Sequence, residues 1–157
     1  MAGASIGEIR SRARRGNPSG KQPIGLIIVD YLQLVSAHAD NRQNEVAAVS
    51  RGLKALAKEL RVPVVALSQL SRGVELRGKD AEPQLSDLRD SGAIERNADN
   101  VIFLHRPKKG QPDDDGHAFA LLAKQRQGPL GRITLQFRGS IAAFDTGVPP
   151  EGFGRVA

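Results

Sequence analysis

The stretch from Gly25 to Leu34, GLIIVDYLQL, constrains the fold more than any other part of the chain. Four consecutive apolar residues, Leu26 to Val29, precede a single carboxylate, Asp30. An apolar run this short, rich in Ile, is typical of a strand buried on both faces. Ligands bind at the carboxyl ends of such strands, and in nucleotide-hydrolysing folds an aspartate there holds magnesium. Taken alone, Asp30 is also compatible with a polar residue that simply ends a strand.

A long amphipathic helix and a second apolar run follow the Asp30 strand. Apolar residues recur at spacings of three and four, which places them on one helical face: Val46, Val49, Leu53, Leu56 and Leu60. Asp40 or Asn41 can cap the start of this helix, and Pro63 ends it. The run VVALS, residues 64–68, predicts a second buried strand. Residues 26–68 therefore form a strand–helix–strand unit, with two parallel strands joined by a right-handed crossover.

Shorter patterns predict the elements on either side of this unit. Ser5 and Glu8 predict a capping box at the start of a basic helix over residues 5–15. Residues 85–99 combine turn residues with one helical turn. The last part of the chain predicts strands at residues 101–106, 119–124, 132–137 and 141–144. Because apolar and polar residues alternate in the third of these, we expect it to be antiparallel and to pair with the fourth.

Composition favours one folded domain with a polyanionic partner. We expect this domain to span residues 1–146 and a Pro/Gly-rich tail, residues 147–157, to be disordered. The net charge of +6 favours nucleic acid, although it is equally compatible with plain solubility. The sequence has no cysteine and no metal-ligand spacing among its histidines. It also has no apolar run of membrane-spanning length and no secretory signal at its start, so we expect a cytoplasmic location and no membrane partner.

Two groups of residues near the predicted strand ends are candidates for binding phosphates. Gln69 follows the second strand, and because adjacent parallel strands end at the same sheet edge, it should lie near Asp30. A glutamine there could hydrogen-bond a terminal phosphate, orient an attacking water, or simply cap the strand. Ser91 and Gly92 precede a helical turn and could offer backbone amides to an anion, with Arg89 supplying charge for a DNA phosphate. An ordinary helix cap is the alternative interpretation.

A third candidate group is the pair Lys124 and Arg126, in the sequence AKQRQGPLG. The two cations share one face of a strand because strand side chains alternate, and Gly128, Pro129 and Gly131 make a tight reversal after them. Cations at the end of a rigid hairpin suit an arginine finger that reaches the phosphate of a neighbouring subunit. A solvated basic strand face is the other interpretation.

Taken in order, DYLQL, ALSQLSR, LSDLRDSGAIE and AKQRQGPLG resemble the carboxyl-terminal motor domain of the DnaB family of replicative DNA helicases. The resemblance runs from Ser5 to about Phe144. Other RecA-like ATPases share the strand-end Asp and Gln, but not the two later signatures together. The resemblance implies a partial RecA-like (P-loop NTPase) α/β fold, with parallel strands and crossover helices followed by an antiparallel carboxyl-terminal hairpin.

The resemblance also implies an activity and its partners. Members of the family form hexameric rings that hydrolyse ATP at subunit interfaces, move 5′ to 3′ on the encircled single-stranded DNA, and unwind the duplex during replication. Primase and a helicase loader are the further partners that the resemblance implies. Asn97 stands where the family usually has an acidic residue.

Residue roles follow from the resemblance by matching position. Asp30 would hold Mg²⁺, and Gln69 would sense the terminal phosphate of ATP. Lys124 and Arg126 would reach in trans into the nucleotide site of the adjoining subunit. The loop that contains three further residues would contact the DNA backbone: Arg89, Asp90 and Gly92.

The chain departs from the family at its beginning. It contains no G-x-x-x-x-G-K-[ST] phosphate loop (Walker A), and the family's catalytic glutamate and primase-binding collar are absent too. We expect the chain alone to be inactive and to need another polypeptide, or a different closure of the sheet, for stability. Two function classes therefore remain: part of a helicase ATPase, or a non-catalytic protein that binds DNA or interacts with the ring.

Overall fold

A computed structural model of the chain describes residues 3–16, 24–71, 73–78, 80–88 and 91–146. These residues belong to two compact units, one drawn from Met1–Ser71 and Leu85–Ala98, the other from Arg72–Gln84 and Asp99–Ala157. The first contains a parallel pair of strands with helices, and the second contains a four-stranded antiparallel sheet. The tail expected at residues 147–157 lies outside the described residues.

The secondary structure contains four α-helices and six strands within the described residues. The helices are α1 (Ile6–Arg15), α2 (Arg42–Leu60), α3 (Gly73–Leu76) and α4 (Ser91–Asn97). The strands are β1 (Ile27–Val29), β2 (Val64–Ala66), β3 (Asn100–His105), β4 (His117–Gln125), β5 (Gly131–Arg138) and β6 (Ala143–Asp145). Short 3₁₀ turns occupy Leu32–Leu34, Leu85–Asp87 and Gly139–Ile141.

Both long helices begin with the side-chain caps that the sequence predicts. At α1, the Glu8 amide donates to Ser5 Oγ at 3.2 Å and the Ser5 amide donates to Glu8 Oε2 at 2.7 Å. Ser5 Oγ also donates to Glu8 Oε2 at 3.2 Å. The hydrogen bonds from the Ser5 amide, the larger effect, and from the Ser5 hydroxyl lower the pKa of the Glu8 carboxyl. At α2, the Asn44 amide donates to Asn41 Oδ1 at 2.8 Å, which makes Asn41 the cap of the two candidates.

Helix α2 forms the centre of the first unit. Four residues of its predicted apolar face are buried: Val46, Val49, Leu53 and Leu56. Helix α1 lies so close to α2 that a Cβ atom at Gly52 would come within 2.5 Å of Ile6 Cγ1. Glu59 on α2 accepts a hydrogen bond from Arg14 Nε at 2.7 Å and lies 3.5 Å from Arg10 Nε. Gly52 and Glu59 therefore fix where α1 lies on α2.

Strands β1 and β2 form the predicted parallel pair, with Ile28 opposite Val65. The prediction that both strands are buried is wrong for this chain. Ile28 is 64% exposed and Val65 is 47% exposed, whereas Val29 on the other face is buried. Helix α2 contacts β2, and a parallel sheet requires cover on both of its faces. The described residues leave one apolar face open.

Strands β3 to β6 form an antiparallel sheet in sequence order. The pairing of Phe137 with Phe144 confirms the hairpin predicted between β5 and β6. Before β4, Gly116 has a φ of +78°, and a Cβ atom there would lie 2.4 Å from the Phe137 carbonyl oxygen. Only glycine fits this close approach of the β4 turn to β5. Strand β3 pairs with β4, which leaves its other edge without a strand partner in the described sheet.

Candidate functional site

The parallel pair brings Asp30 and Gln69 to the same edge of the sheet. Asp30 directly follows β1, and Gln69 follows β2 after two intervening residues. Main-chain pairing continues beyond the strands, because the Leu67 amide donates to the Val29 carbonyl at 2.9 Å and the Leu32 amide donates to the Leu67 carbonyl at 2.8 Å. Both Asp30 and Gln69 are exposed. This edge is therefore an open site with one carboxylate and one amide side chain.

Gln33 links the ends of the two strands through its side-chain amide. Its Nε2 donates to Ser68 Oγ at 3.0 Å and to the Gln69 carbonyl at 3.4 Å. Its Oε1 accepts a hydrogen bond from the Gln69 amide at 3.3 Å. Sequence reasoning assigned no role to Gln33, although its position three residues after Asp30 on the same connection was an available signal.

A shallow hollow of about 350 Å³ lies beside this link. It is lined by Tyr31, Leu67, Ser68 and Gln69. The peptide bond between Asp30 and Tyr31 is cis. The lining combines hydroxyl and amide groups with an apolar side chain.

The first turn of α2 holds the connection that carries Gln33. The Arg42 guanidinium donates to the Gln33 carbonyl and pairs with the Glu45 carboxylate. Glu45 also accepts a hydrogen bond from the Ala37 amide at 3.3 Å. The Arg42 hydrogen bond, reinforced by that of Ala37, lowers the pKa of the Glu45 carboxyl. Arg42 and Glu45 thus fasten two points of the same connection to one helix end.

Asp30 at this sheet edge suits a metal ion that takes most of its ligands from a bound nucleotide and water. Mg²⁺ in nucleotide sites takes one or two protein carboxylates and completes its shell with phosphate oxygens and water. Asp30 supplies one exposed carboxylate, which fits that requirement. Among the residues that the structure describes, no cluster of three or more His, Asp or Glu side chains could hold a metal without such a substrate.

The second unit contains Lys124 and Arg126. Lys124 lies within β4 opposite Val101, but β4 ends at Gln125, so Arg126 lies just beyond the strand rather than on its face as expected. The Arg126 amide donates to the Asp99 carbonyl at 3.1 Å, and its Nε lies 3.2 Å from Asp99 Oδ1. Both side chains are 53% exposed. Arg126 is thus held at its main chain by a hydrogen bond and at its side chain by an exposed ion pair.

Asp99 is a second residue that sequence reasoning missed. The register places Asn100 opposite Gln125, so extending it by one residue sets Asp99 against Arg126. The sequence places an acidic residue directly before β3 and a cation directly after β4, but the two can be paired only once the register is known.

The candidate DNA-contacting loop is only partly described. Gly92 is exposed in α4, whereas Arg89 and Asp90 lie outside the described residues. At the other end of α4, Asn97 Nδ2 donates to Ser50 Oγ on α2 at 3.2 Å, and Ser50 is buried. Asn97 therefore attaches α4 to α2 through a neutral hydrogen bond.

The family model for the DnaB-like helicase C terminal domain matches residues 1–146. The chain belongs to this family. It is 49% identical over 148 residues to the replicative DNA helicase DnaB of Haemophilus influenzae, an alignment that covers 92% of the chain and 31% of the relative. It is 44% identical over 162 residues to the replicative DNA helicase DnaC of Bacillus subtilis, covering 94% of the chain and 35% of the relative. The chain thus spans about a third of the length of these curated relatives.

Solved structures confirm the fold class. One is a DnaB-like replicative helicase described with its interactions with primase, and another is an isolated ATPase domain. The chain matches each with a TM-score of 0.82 and 38% identity over 92% of its own length, covering 35% of the first and 52% of the second. The match to an ATPase domain supports nucleotide use by this family. None of the described helices is long and apolar enough to cross a membrane.

Proposed function

We propose that this chain provides the second half of the ATP site of a replicative DNA helicase. In this proposal, a hexameric ring couples ATP hydrolysis to 5′–3′ translocation on single-stranded DNA and to duplex unwinding. The observation that carries the proposal is the shared sheet edge of Asp30 and Gln69 in a chain of the DnaB-like family. The order of site sequences along the chain supports the same assignment.

Asp30 and Gln69 act on the nucleotide bound by their own subunit. The Asp30 carboxylate would hold Mg²⁺, and the ion would supply positive charge that stabilises the phosphates of the nucleotide. The Gln69 side chain hydrogen-bonds the terminal phosphate or orients the attacking water. Both residues are exposed at the sheet edge, so a nucleotide can reach them without displacing a side chain of the first unit from a buried position.

Lys124 and Arg126 act on the nucleotide of the adjoining subunit. A guanidinium offers several donors in a planar arrangement that matches phosphate oxygens, and the neighbouring ammonium adds positive charge. Arg126 must exchange its Asp99 partner for the phosphate. An exposed ion pair contributes only about 0–1 kcal/mol, so this exchange costs little.

Single-stranded DNA is the proposed substrate of the loop that contains Arg89, Asp90 and Gly92. Phosphate contacts suit a chain of net charge +6 with only 4% aromatic residues, because base stacking requires aromatic side chains. Primase and a helicase loader are proposed partners of the full ring, and the cytoplasm is its proposed location. The primase partner is supported by the helicase structure that was described with primase.

The proposal can be tested in a completed motor, in which residues 1–146 replace the matching segment of the Haemophilus influenzae relative. We expect DNA-stimulated ATP hydrolysis and strand separation. Asp30→Ala should lower hydrolysis by about a hundredfold or more, because it removes the magnesium ligand. Asp40→Ala is the matched control, since Asp40 is an exposed carboxylate in the connection before α2. A completed motor that assembles and binds DNA but does not hydrolyse ATP would contradict the proposal.

A non-catalytic DNA-binding or ring-interacting protein is the alternative function. The net charge of +6 favours it, because an excess of positive charge attracts polyanions such as DNA. It predicts that the 157-residue chain binds single-stranded DNA with an affinity that falls steeply as salt rises. Such binding together with an inactive completed motor would favour this alternative over the helicase.

A further inference from the structure

We propose that Gln33 is a positioning residue for Gln69, the residue assigned above to the terminal phosphate. Its side-chain amide fixes the main chain of Gln69 and thereby fixes where the Gln69 side chain starts. This inference rests on the proposed function, because positioning has a kinetic consequence only if Gln69 contacts the nucleotide. The contacts themselves do not depend on that function.

The hydrogen bonds between Gln33 and Gln69 use both ends of the Gln33 amide. Oε1 accepts from the Gln69 amide at 3.3 Å, while Nε2 donates to the Gln69 carbonyl at 3.4 Å. Nε2 also donates to Ser68 Oγ at 3.0 Å. A primary amide carries a donor nitrogen and an acceptor oxygen on the same carbon. A carboxylate has no donor and an aliphatic side chain has neither group, so neither can make all three hydrogen bonds.

Gln33 can fix Gln69 because Gln33 is itself held at its main chain. Arg42, in the first turn of α2, donates to the Gln33 carbonyl. The preceding residue, Leu32, is buried, and its amide donates to the Leu67 carbonyl at 2.8 Å. The Gln33 side chain therefore extends from a fixed backbone toward the end of β2. Forming its hydrogen bonds costs little additional conformational entropy.

The result is a residue with a fixed main chain and an exposed side chain at the proposed phosphate position. The Gln69 side chain is exposed. Asp30 and Gln33 lie on the same connection, three residues apart, so one short segment carries both the proposed magnesium ligand and the clamp on Gln69. A group positioned in this way acts mainly on the reaction step, since small errors in orientation reduce catalysis more than binding.

The first test measures the clamp without relying on activity. In the completed motor, Gln33→Leu keeps a side chain of similar volume but removes all three hydrogen bonds. We expect hydrogen exchange at the Gln69 amide to become faster, while exchange in the core of α2 stays unchanged. Gln33→Glu keeps an acceptor for that amide, so it should retain more protection. Gln43→Leu, at an exposed glutamine in the first turn of α2, is the matched control.

The second test measures the kinetic consequence. We expect Gln33→Leu to lower kcat on the order of tenfold and to leave KM for ATP nearly unchanged. A tenfold loss of rate corresponds to the net free energy of about one hydrogen bond. Gln33→Glu should recover part of the loss. The double variant Gln33→Leu/Gln69→Ala should be no slower than Gln69→Ala alone, because the positioning residue has nothing left to position.

The outcomes separate this inference from the function on which it rests. The positioning role would be overturned if the rate losses of Gln33→Leu and Gln69→Ala multiplied in the double variant. A Gln33→Leu variant with wild-type kcat would also overturn it. Unchanged exchange at the Gln69 amide would overturn the clamp itself. Failure of the proposed function is a different result: the wild-type completed motor would not hydrolyse ATP, and the exchange measurement would then decide the clamp alone.

Discussion

At the residue scale, His105 is the buried titratable side chain on the inward face of β3. It is 8% exposed, and its ring stacks on Phe119 with centroids 6.4 Å apart. Burial lowers the pKa of His105, an effect that the negative charge of Asp80 partly opposes. The unfolded chain therefore binds this proton more tightly than the folded chain does. Stability from neutral His105 is fully present above its ordinary pKa of 6.5 and is lost as the pH falls through the lower folded value.

Replacement of His105 by phenylalanine should reduce the acid sensitivity of the second unit. We expect the wild-type completed motor to have a lower unfolding midpoint at about pH 5.5 than at about pH 7.5, since protonated His105 favours the unfolded chain. His105→Phe keeps an aromatic ring beside Phe119 and cannot titrate, so its midpoint should fall less. Thermal unfolding at the two pH values measures the difference, and an equal fall in both proteins would contradict this role for His105.

Site residues could be predicted where local sequence determined their position. Asp30 and Gln69 each follow an apolar run, so their place at a strand end could be inferred. The roles of Gln33 and Asp99 depend on contacts with residues distant in sequence, at Gln69 and Arg126. Such contacts can be predicted only when the register of the strands is known, and apolar patterns alone do not specify it.

At the element scale, α2 connects the parallel strands to the other helices of the first unit. Its first turn holds the Gln33 connection through Arg42, and its middle contacts α4 through the Ser50–Asn97 hydrogen bond. Gly52 allows α1 to approach closely. Arg42 and Glu45 lie in the first turn of α2. Fraying of that turn would therefore release the connection that carries Gln33.

Loss of the α2 cap should destabilise the first unit. Asn41→Ala removes the acceptor for the Asn44 amide and should cost about 1 kcal/mol of unfolding free energy. Asp40→Ala, at the other cap candidate, should change stability by less than about 0.5 kcal/mol. Denaturant unfolding of the completed motor, followed by helical circular dichroism, compares the two variants. A larger effect at Asp40 would contradict the assignment of the cap.

The sequence predicted the elements more reliably than their exposure. Apolar periodicity placed α2 and its buried face, and alternation placed β5. In β1, β2 and β3 nearly every position is apolar, so the sequence could not indicate which face is covered. The structure leaves Ile28, Val65 and Ile102 exposed. Cover of a sheet face is supplied by residues distant in sequence, and local patterns contain no information about it.

At the scale of the whole molecule, apolar side chains are exposed on the parallel pair and on β3 within the described residues. Six large apolar side chains on β1, β2 and β3 or directly beside them are exposed: Leu26, Ile28, Val65, Leu67, Ile102 and Leu104. Parallel sheets are normally covered on both faces, and the chain spans about a third of the relatives' length. The completed motor is therefore the appropriate setting for each test, since it restores the remaining part of a relative.

The central claim is that two neighbouring subunits share each ATP site, one contributing Asp30 and the other contributing Arg126. Mixing two inactive completed motors, Asp30→Ala and Arg126→Ala, tests it most directly. In a randomly mixed ring with head-to-tail interfaces, about a quarter of the sites combine an intact Asp30 with an intact Arg126. We therefore predict that ATP hydrolysis reappears on mixing, at up to roughly that fraction of the wild-type rate. Mixed rings that remain as inactive as either variant alone would contradict the shared site.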